Sequence, residues 1–196
     1  MVPEDGGIPF PDHSFDLVLS NQVLEHVRHL DSLFREVRRV LAPDGVSVHV
    51  FPAREVWIEP HVGLPLVHRC RDWESARVAI HRLSRLGLGR WRRHGRDREA
   101  FAEWWADFQI RFVHYRSASE ILRHARSCGL RARFAHDGYA YRDRLGRLLG
   151  SGPSTSFPYR RRASLLARPL FHWLTRRLGP TTLVLSPPQS PLDADV

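Results

Sequence analysis

The sequence predicts an α/β protein, on the evidence of three features. Residues 15–20 read FDLVLS and residues 46–51 read VSVHVF, and short apolar runs of this kind are typical of buried strands in a parallel sheet. Between them, residues 31–41 carry apolar side chains at helical spacing. Strand, helix and strand in this order indicate a βαβ unit with a right-handed crossover.

The first helix has a recognisable start and stop. Asp31 is its expected N-cap, because a side-chain oxygen at that position accepts from the first free amides. Pro43 and Gly45 are expected to end it, and the second strand then begins at Val46.

The middle of the chain is predicted to be helical between loops. Residues 57–68 contain Pro60, Gly63 and Pro65 and are expected to form a rigid loop. Helices are predicted around residues 73–86 and over residues 99–112. The second helix places aromatic side chains on one side, and we interpret most of them as core, with His114 and Tyr115 able to close over a substrate.

The last third holds one helix and two strands. Ser117 and Glu120 form a capping box that begins a helix, and Gly129 stops it. Strands are predicted over residues 130–141 and 181–186. Residues 142–179 form a basic insertion whose amphipathic segment, residues 165–178, is bent by Pro169, and residues 187–196 are expected to be a disordered tail.

The composition excludes several chemistries. The 196 residues carry a net charge of +9, and all 30 cationic side chains are Arg. Without Lys, neither a Schiff-base mechanism nor a P-loop is available. Two cysteines exclude a Cys-based zinc site and give little reason to expect an oxidising compartment. With no signal peptide and no membrane-length apolar run, we expect a cytoplasmic protein.

The positive charge is concentrated in two segments. Residues 76–98 hold eight Arg and one Asp, and residues 142–178 hold nine Arg and one Asp. These Arg-rich insertions predict an anionic substrate or partner for two surfaces of the protein.

Three linked motifs identify a family resemblance. They are IPFPDHSFDLV at residues 8–18, LEHV at residues 24–27 and REVRRVLAPDG at residues 35–45. In this order and spacing they resemble the class I S-adenosylmethionine-dependent methyltransferases, and more narrowly the methyltransferase type 11 group. The resemblance is strong over residues 8–54, about a quarter of the chain. Asp44 departs from the Gly usual there, but Asp also tolerates turn geometry.

The resemblance implies a fold and a cofactor. The family sheet is Rossmann-like, with strand order 3-2-1-4-5-7-6 and strand 7 antiparallel. The four strands predicted here, in chain order, correspond to family strands 4, 5, 6 and 7. The expected fold is therefore the C-terminal part of this sheet with helical insertions, and the expected cofactor is S-adenosylmethionine.

The front half of the family domain has no counterpart in the sequence. No G-x-G occurs before residue 87, so the glycine-rich loop that approaches the donor's methionine moiety is missing, as is the acidic residue for its ribose. We expect residues 1–186 to be an N-terminally truncated methyltransferase domain, with insertions at about 55–116 and 142–179. We expect the chain as given to be inactive.

Donor contacts are predicted at the carboxyl end of the first strand, where open α/β sheets bind ligands. Ser20, Asn21 and Gln22 follow that strand and are expected to face the donor, and Glu25 to contact it or orient His26. By resemblance, Ile8, Pro9 and Phe10 would pack near its adenine; the alternative is a loop that only plugs the sheet edge.

Catalytic roles are predicted for His26, Glu59 and His61. His26 is the best candidate for a general base, because imidazole titrates near neutral pH; the alternative is a structural role, in which it hydrogen-bonds the loop and packs under the helix. Glu59 and His61, with His68, are interpreted as a substrate-contacting group, against the alternative of an ordinary loop. The histidines show no recognised metal-ligand spacing, so no metal is predicted.

Three functions compete at this level. The leading hypothesis is methyl transfer to a small-molecule acceptor. The second is a non-enzymatic binding module that pairs through an exposed strand or the basic insertions. The third, binding of nucleic acid or an anionic membrane surface, has no RNA-binding motif to support it. The sequence leaves the oligomeric state open.

Overall fold

The computed structural model describes residues 7–95, 97–135, 173 and 176–189. The main elements are six strands and four α-helices: β1 Phe15–Asn21, α1 Leu30–Val40, β2 Leu41–Phe51, β3 Ile58–Glu59, β4 Leu64–Pro65, α2 Trp73–Arg85, α3 Arg98–Phe112, α4 Ala118–Ser127, β5 Arg131–Phe134 and β6 Thr181–Ser186.

Four of the strands form one sheet in the order β1-β2-β6-β5. β1 and β2 are parallel, and β6 runs antiparallel to both of its neighbours. In family numbering this order is 4-5-7-6 with strand 7 antiparallel, so the predicted fold class is confirmed.

The main core lies between one face of this sheet and helices α1 and α4. Phe34, Phe51, Ile121, Leu183 and Leu185 are among its buried members. On the opposite face of β1 the side chains of Leu17 and Leu19 are 50% and 67% exposed. The sheet is therefore packed on one side where β1 forms its edge.

A second core lies between β2 and α4 in the sequence. Helices α2 and α3 pack together with the β3–β4 hairpin, and Leu64, Ile80 and Phe101 are buried at their contact. The stretch predicted to be a simple loop thus contains a hairpin. Leu64 and Val62 belong to this core, which explains why residues 58–65 hold a fixed shape.

Several predicted boundaries are shifted. α1 begins at Leu30 with His29 as N-cap, so the N-cap prediction for Asp31 is wrong; Asp31 lies in the first turn. β2 begins at Leu41, because residues before a proline favour extended backbone. The pairing of β1 with β2 changes register between Phe15 and Leu17. At this point residues 42–45 of β2 lie opposite a single residue of β1. There a Cβ on Gly45 would lie 2.9 Å from the carbonyl oxygen of Phe15, which favours glycine.

The C-terminal predictions are covered only in part. The strand predicted over residues 130–141 is observed at Arg131–Phe134, and residues 136–141 lie outside the described residues. Most of the basic insertion at residues 142–179, the greater part of its amphipathic segment and residues 190–196 of the tail also lie outside them. None of the helices in the described part combines the length and apolar character that a membrane crossing requires.

Candidate functional site at the carboxyl edge of the parallel strands

Polar groups follow both parallel strands at the edge where they end. β1 ends at Asn21, and Gln22 then adopts a left-handed backbone (φ 55°) while its amide donates to the carbonyl of Val50 at 2.7 Å. A short 3₁₀ helix, Leu24–His26, carries Glu25 and His26 away from this turn. Left-handed conformation in a residue other than Gly is uncommon and concentrates at functional sites.

The β3–β4 hairpin brings a second group to the same edge. Glu59 is fully buried and accepts hydrogen bonds from His61 Nδ1 at 2.5 Å, Tyr115 Oη at 2.8 Å and the Val62 amide at 2.7 Å. The Gly63 amide closes the turn onto the Glu59 carbonyl at 2.8 Å. His61 is therefore held by a carboxylate that is itself fixed by the fold.

The charge on Glu59 is stabilised by these donors. Burial raises the pKa of its carboxyl, but the hydrogen bond and electrostatic interaction with His61 and the hydrogen bond from the Val62 amide outweigh burial, so the pKa lies below its usual range. For Tyr115, burial and the adjacent Glu59 charge hold the pKa of the phenol far above its usual value. Tyr115 thus remains a hydrogen-bond donor to Glu59.

His26 and His61 face each other, with ring centroids 5.2 Å apart. The Nδ1 atom of His26 lies 2.7 Å from the carbonyl oxygen of Phe112, which can only accept a hydrogen bond. The Phe108 ring lies 5.4 Å from His61 and 6.0 Å from His26. Helix α3 therefore supplies an aromatic wall beside the two imidazoles.

The aromatic residues of α3 divide between core and surface. Trp105 is 6% exposed and lies in the second core, whereas Trp104 and Phe112 are 43% and 56% exposed. The interpretation as core holds for Phe101, Trp105 and Phe108 and fails for Trp104 and Phe112. Phe108, one member of the cluster, lies beside His26 and His61.

Glu25 is a buried acid beside the two histidines. Its side chain is 2% exposed, and neither carboxylate oxygen accepts a hydrogen bond from another described residue. Burial raises the pKa of this carboxyl, although its own backbone amide and the nearby His26 and His61 act in the opposite direction. The His114 amide donates to the Glu25 carbonyl at 2.6 Å and fixes its backbone.

The structure thus brings together four of the predicted site residues: Glu25, His26, Glu59 and His61. His68, grouped with Glu59 and His61 from the sequence, instead donates from Nε2 to the Arg54 carbonyl at 3.1 Å and packs its ring on Tyr115. His68 therefore contacts Tyr115, which donates the hydrogen bond to Glu59.

The predicted donor contacts separate into two groups. Asn21 is exposed at the carboxyl edge, next to Gln22, while the hydroxyl of Ser20 is bonded to His49 Nδ1 at 2.6 Å.

The residues predicted to pack near the adenine of the methyl donor lie away from Ser20 and Asn21. They are Ile8, Pro9 and Phe10. The Ile8 amide donates to Glu36 at 2.8 Å, and the Phe10 ring packs on Phe15 at 4.9 Å. Because Phe15 begins β1, the Phe10 ring lies at the amino end of that strand, away from Asn21.

Sequence reasoning missed how the histidines are held. Tyr115 is 56 positions from Glu59, and the Phe112 carbonyl is 86 positions from His26. No spacing rule reaches over such separations. The available signal was the polar pair His114–Tyr115 directly after an aromatic helix, which indicated a side chain near the substrate but not its partner.

The strand order β1-β2-β6-β5, with β6 antiparallel, is the arrangement expected for the C-terminal part of a Rossmann-like methyltransferase sheet. Residues 2–49 match the family described as a methyltransferase domain. This match confirms the resemblance to class I S-adenosylmethionine-dependent methyltransferases, and it supports the predicted cofactor.

Two curated relatives match short stretches. An uncharacterized protein of Escherichia coli K12, YafE, is 28% identical over 74 residues, which cover 35% of this chain and 36% of that protein. The malonyl-[acyl-carrier protein] O-methyltransferase of Halorhodospira halophila is 47% identical over 38 residues, covering 19% of this chain and 13% of that protein. The chain therefore spans about a third or less of the curated relatives it matches.

Solved structures are similar over more of the chain. An S-adenosylmethionine-dependent methyltransferase from Mesorhizobium loti shows 18% identity and a TM-score of 0.44, covering 90% of this chain and 64% of its own. An N-methyltransferase from Haemonchus contortus, bound to phosphomonomethylethanolamine and S-adenosylhomocysteine, shows 16% identity and a TM-score of 0.37, covering 91% and 35%.

Proposed function

We propose that this chain carries the acceptor side of an S-adenosylmethionine-dependent methyltransferase that acts on a small molecule. The observation that supports the proposal most directly is the Glu59–His61 pair at the carboxyl edge, with its 2.5 Å hydrogen bond. The family match over residues 2–49 supports the reaction class. The donor, when bound, supplies an electrophilic methyl group on its sulfonium sulfur.

His61 is the proposed general base for the acceptor's nucleophile. Its Nδ1–H is donated to Glu59, so the lone pair of Nε2 is available to take a proton. Glu59 acts as a positioning residue, because it fixes the tautomer and ring orientation and stabilises the imidazolium that forms. Its own position depends on the hydrogen bond from Tyr115.

The surroundings favour an acceptor with an apolar part and an anionic part. Phe108 offers a ring face beside both histidines. The Arg-rich segment adjoins the hairpin, since the Arg90 amide donates to the Val62 carbonyl at 3.0 Å. Positive charge on this segment would attract a negatively charged group of the substrate.

The donor side fits only in part. Asn21 and the left-handed Gln22 offer polar groups on one wall at the edge where such sheets bind ligands. Among the residues that the structure describes, no glycine-rich loop follows a strand of the sheet to approach the methionine moiety. We therefore propose weak donor binding, with a dissociation constant above about 1 mM, and no measurable methyl transfer by this chain alone.

Calorimetric titration with S-adenosylhomocysteine tests the donor proposal. Asn21→Trp places a bulky ring at the proposed wall, and Leu17→Trp places the same ring on the same strand, four residues toward its amino end. We expect weak binding by the unmodified chain and by Leu17→Trp, and none by Asn21→Trp. Micromolar binding would contradict the incomplete site, and equal binding by both variants would contradict the proposed wall.

A further inference from the structure

We propose that Glu25, His26 and His61 form a site for one divalent transition-metal cation of the zinc class. One ligand atom from each residue lies within 4.8 Å of the other two, and this is the one such group in the described ranges. Two imidazoles and one carboxylate are the ligand set of open zinc sites, which leave a coordination position for a further ligand. The inference concerns this ligand set alone and does not rest on methyl transfer.

Both imidazoles are prepared as ligands by what their Nδ1 atoms bind. His26 Nδ1 lies 2.7 Å from the carbonyl oxygen of Phe112, and His61 Nδ1 lies 2.5 Å from Glu59 Oε1. Each ring therefore donates its Nδ1–H, and Nε2 is the nitrogen that remains for a metal. Metal-binding histidines typically donate their other N–H to a carboxylate or a backbone carbonyl, and both forms occur here.

Glu25 supplies an independent observation. It is 2% exposed, and neither of its carboxylate oxygens accepts a hydrogen bond from another described residue. A buried acid left in this state is costly, and a cation beside it would supply the missing partner. The backbone of Glu25 is fixed by the His114 amide, so the carboxylate is held near the two rings.

The three side chains must move slightly closer together to coordinate one ion. Ligand atoms about 2.1 Å from a tetrahedral zinc ion lie roughly 3.4 Å from one another. Atoms within 4.8 Å reach that separation by side-chain movements on the order of 1 Å. His26 is exposed and His61 half-buried, so both rings have room to adjust.

Occupation of this site has a chemical consequence. Zinc would take the same Nε2 atom of His61 that is proposed to accept the acceptor's proton. Metal binding and proton transfer by His61 therefore exclude each other, and the cation would act as an inhibitor of a base-driven reaction.

Zinc binding by the full chain tests the site. The protein is stripped of metal with a chelator, dialysed against zinc ions, and analysed for bound zinc per chain by mass spectrometry. We expect one zinc per chain, and a loss of affinity of at least about tenfold in Glu25→Gln and His61→Gln. His124→Gln is the matched control, because His124 also donates from Nδ1 to a carboxylate, Asp31, at 2.6 Å but lies outside the cluster.

The outcomes separate clearly. No bound zinc, or equal losses in His61→Gln and His124→Gln, would overturn the proposal. His26→Gln is the second cluster variant, because this exposed side chain can be replaced without disturbing the core if the buried Glu25→Gln fails to fold. S-adenosylhomocysteine binding measured in parallel distinguishes failure of the metal site from failure of the proposed donor wall.

Discussion

Glu59 illustrates how a single buried charge organises the candidate site. It is fully buried, yet three donors from two parts of the chain, the β3–β4 hairpin and the segment after α3, converge on its two oxygens. Such a group stabilises the fold only while its partners remain, since a buried charge without hydrogen bonds is strongly unfavourable.

Replacing Glu59 by Gln is expected to lower the free energy of unfolding by about 1–3 kcal/mol. The amide of the new side chain cannot accept from both Val62 and Tyr115 as the carboxylate does. Urea denaturation measures the loss, and Glu74→Gln is the control, because Glu74 is an exposed acid on α2. Equal losses in the two variants would contradict the structural role of Glu59.

His49 gives the protein a specific pH dependence. Burial lowers the pKa of this imidazole from 6.5 to about 4, and its two nitrogens lie 2.6 Å and 2.7 Å from the hydroxyls of Ser20 and Ser47. The unfolded chain therefore binds a proton between pH 6.5 and 4 that the folded chain does not. The part of the free energy of unfolding that depends on neutral His49 is fully present above pH 6.5 and is lost as the pH falls toward 4.

The expected loss over this range is about 3 kcal/mol, and His49→Gln should remove it. Urea denaturation at several pH values measures the slope, which is independent of any constant destabilisation in the variant. An unchanged slope in His49→Gln would show that other groups carry the acid sensitivity.

At this scale the sequence identified residue types better than their partners. His26, Glu59 and His61 could be selected because imidazoles and carboxylates followed predicted strands. The unpaired state of Glu25 could not be predicted, since it depends on how the loops from residues 24–26 and 112–116 close over it. The sequence predicts Asp31 as a cap, but its carboxylate accepts from His124 on another helix.

Among the elements, α4 follows its sequence signals most closely. Ser117 and Glu120 form both hydrogen bonds of the capping box, and Gly129 adopts a left-handed φ of 72° after the helix ends. Both signals are local, so no distant contact was needed to predict them.

Ser117→Ala is expected to lower the free energy of unfolding by about 1 kcal/mol, because it leaves the Glu120 amide without its side-chain acceptor. Thermal or urea denaturation measures the change. Ser127→Ala, in the last turn of the same helix, should have less effect because its hydroxyl donates to the His124 carbonyl in an exposed position. A larger loss in Ser127→Ala would contradict this assignment.

The β3–β4 hairpin shows where local signals were insufficient. Its strands are two residues each, too short for an alternating pattern. They persist because Val62 and Leu64 are fully buried against α2 and α3. Tertiary packing therefore stabilises the hairpin that positions His61. Such packing cannot be recognised from a short window of the sequence.

The molecule as a whole has a sheet that is unevenly covered. Leu183 on β6 is fully buried beneath α1 and α4, whereas Leu19 on the edge strand β1 is 67% exposed. Strand order and polarity could be predicted from the family motifs, but the exposure of each face could not, because it depends on which helices cover the sheet.

Leu183→Ala is expected to cost about 2–5 kcal/mol, while Leu19→Ala should change stability by less than about 0.5 kcal/mol. The same chemical change at two positions of one sheet isolates burial as the cause. Comparable losses measured by urea denaturation would show that β1 is covered in solution.

The location of the ligand edge is the central claim for the whole molecule. Amide chemical-shift mapping of the isotope-labelled chain, titrated with S-adenosylhomocysteine, tests it most directly. We predict shifts confined to the end of β1 with the turn after it, at residues 21–26, and to the β3–β4 hairpin, at residues 59–63. Shifts centred at the amino end of β1 around Phe15, or none up to the solubility limit of the ligand, would contradict the account.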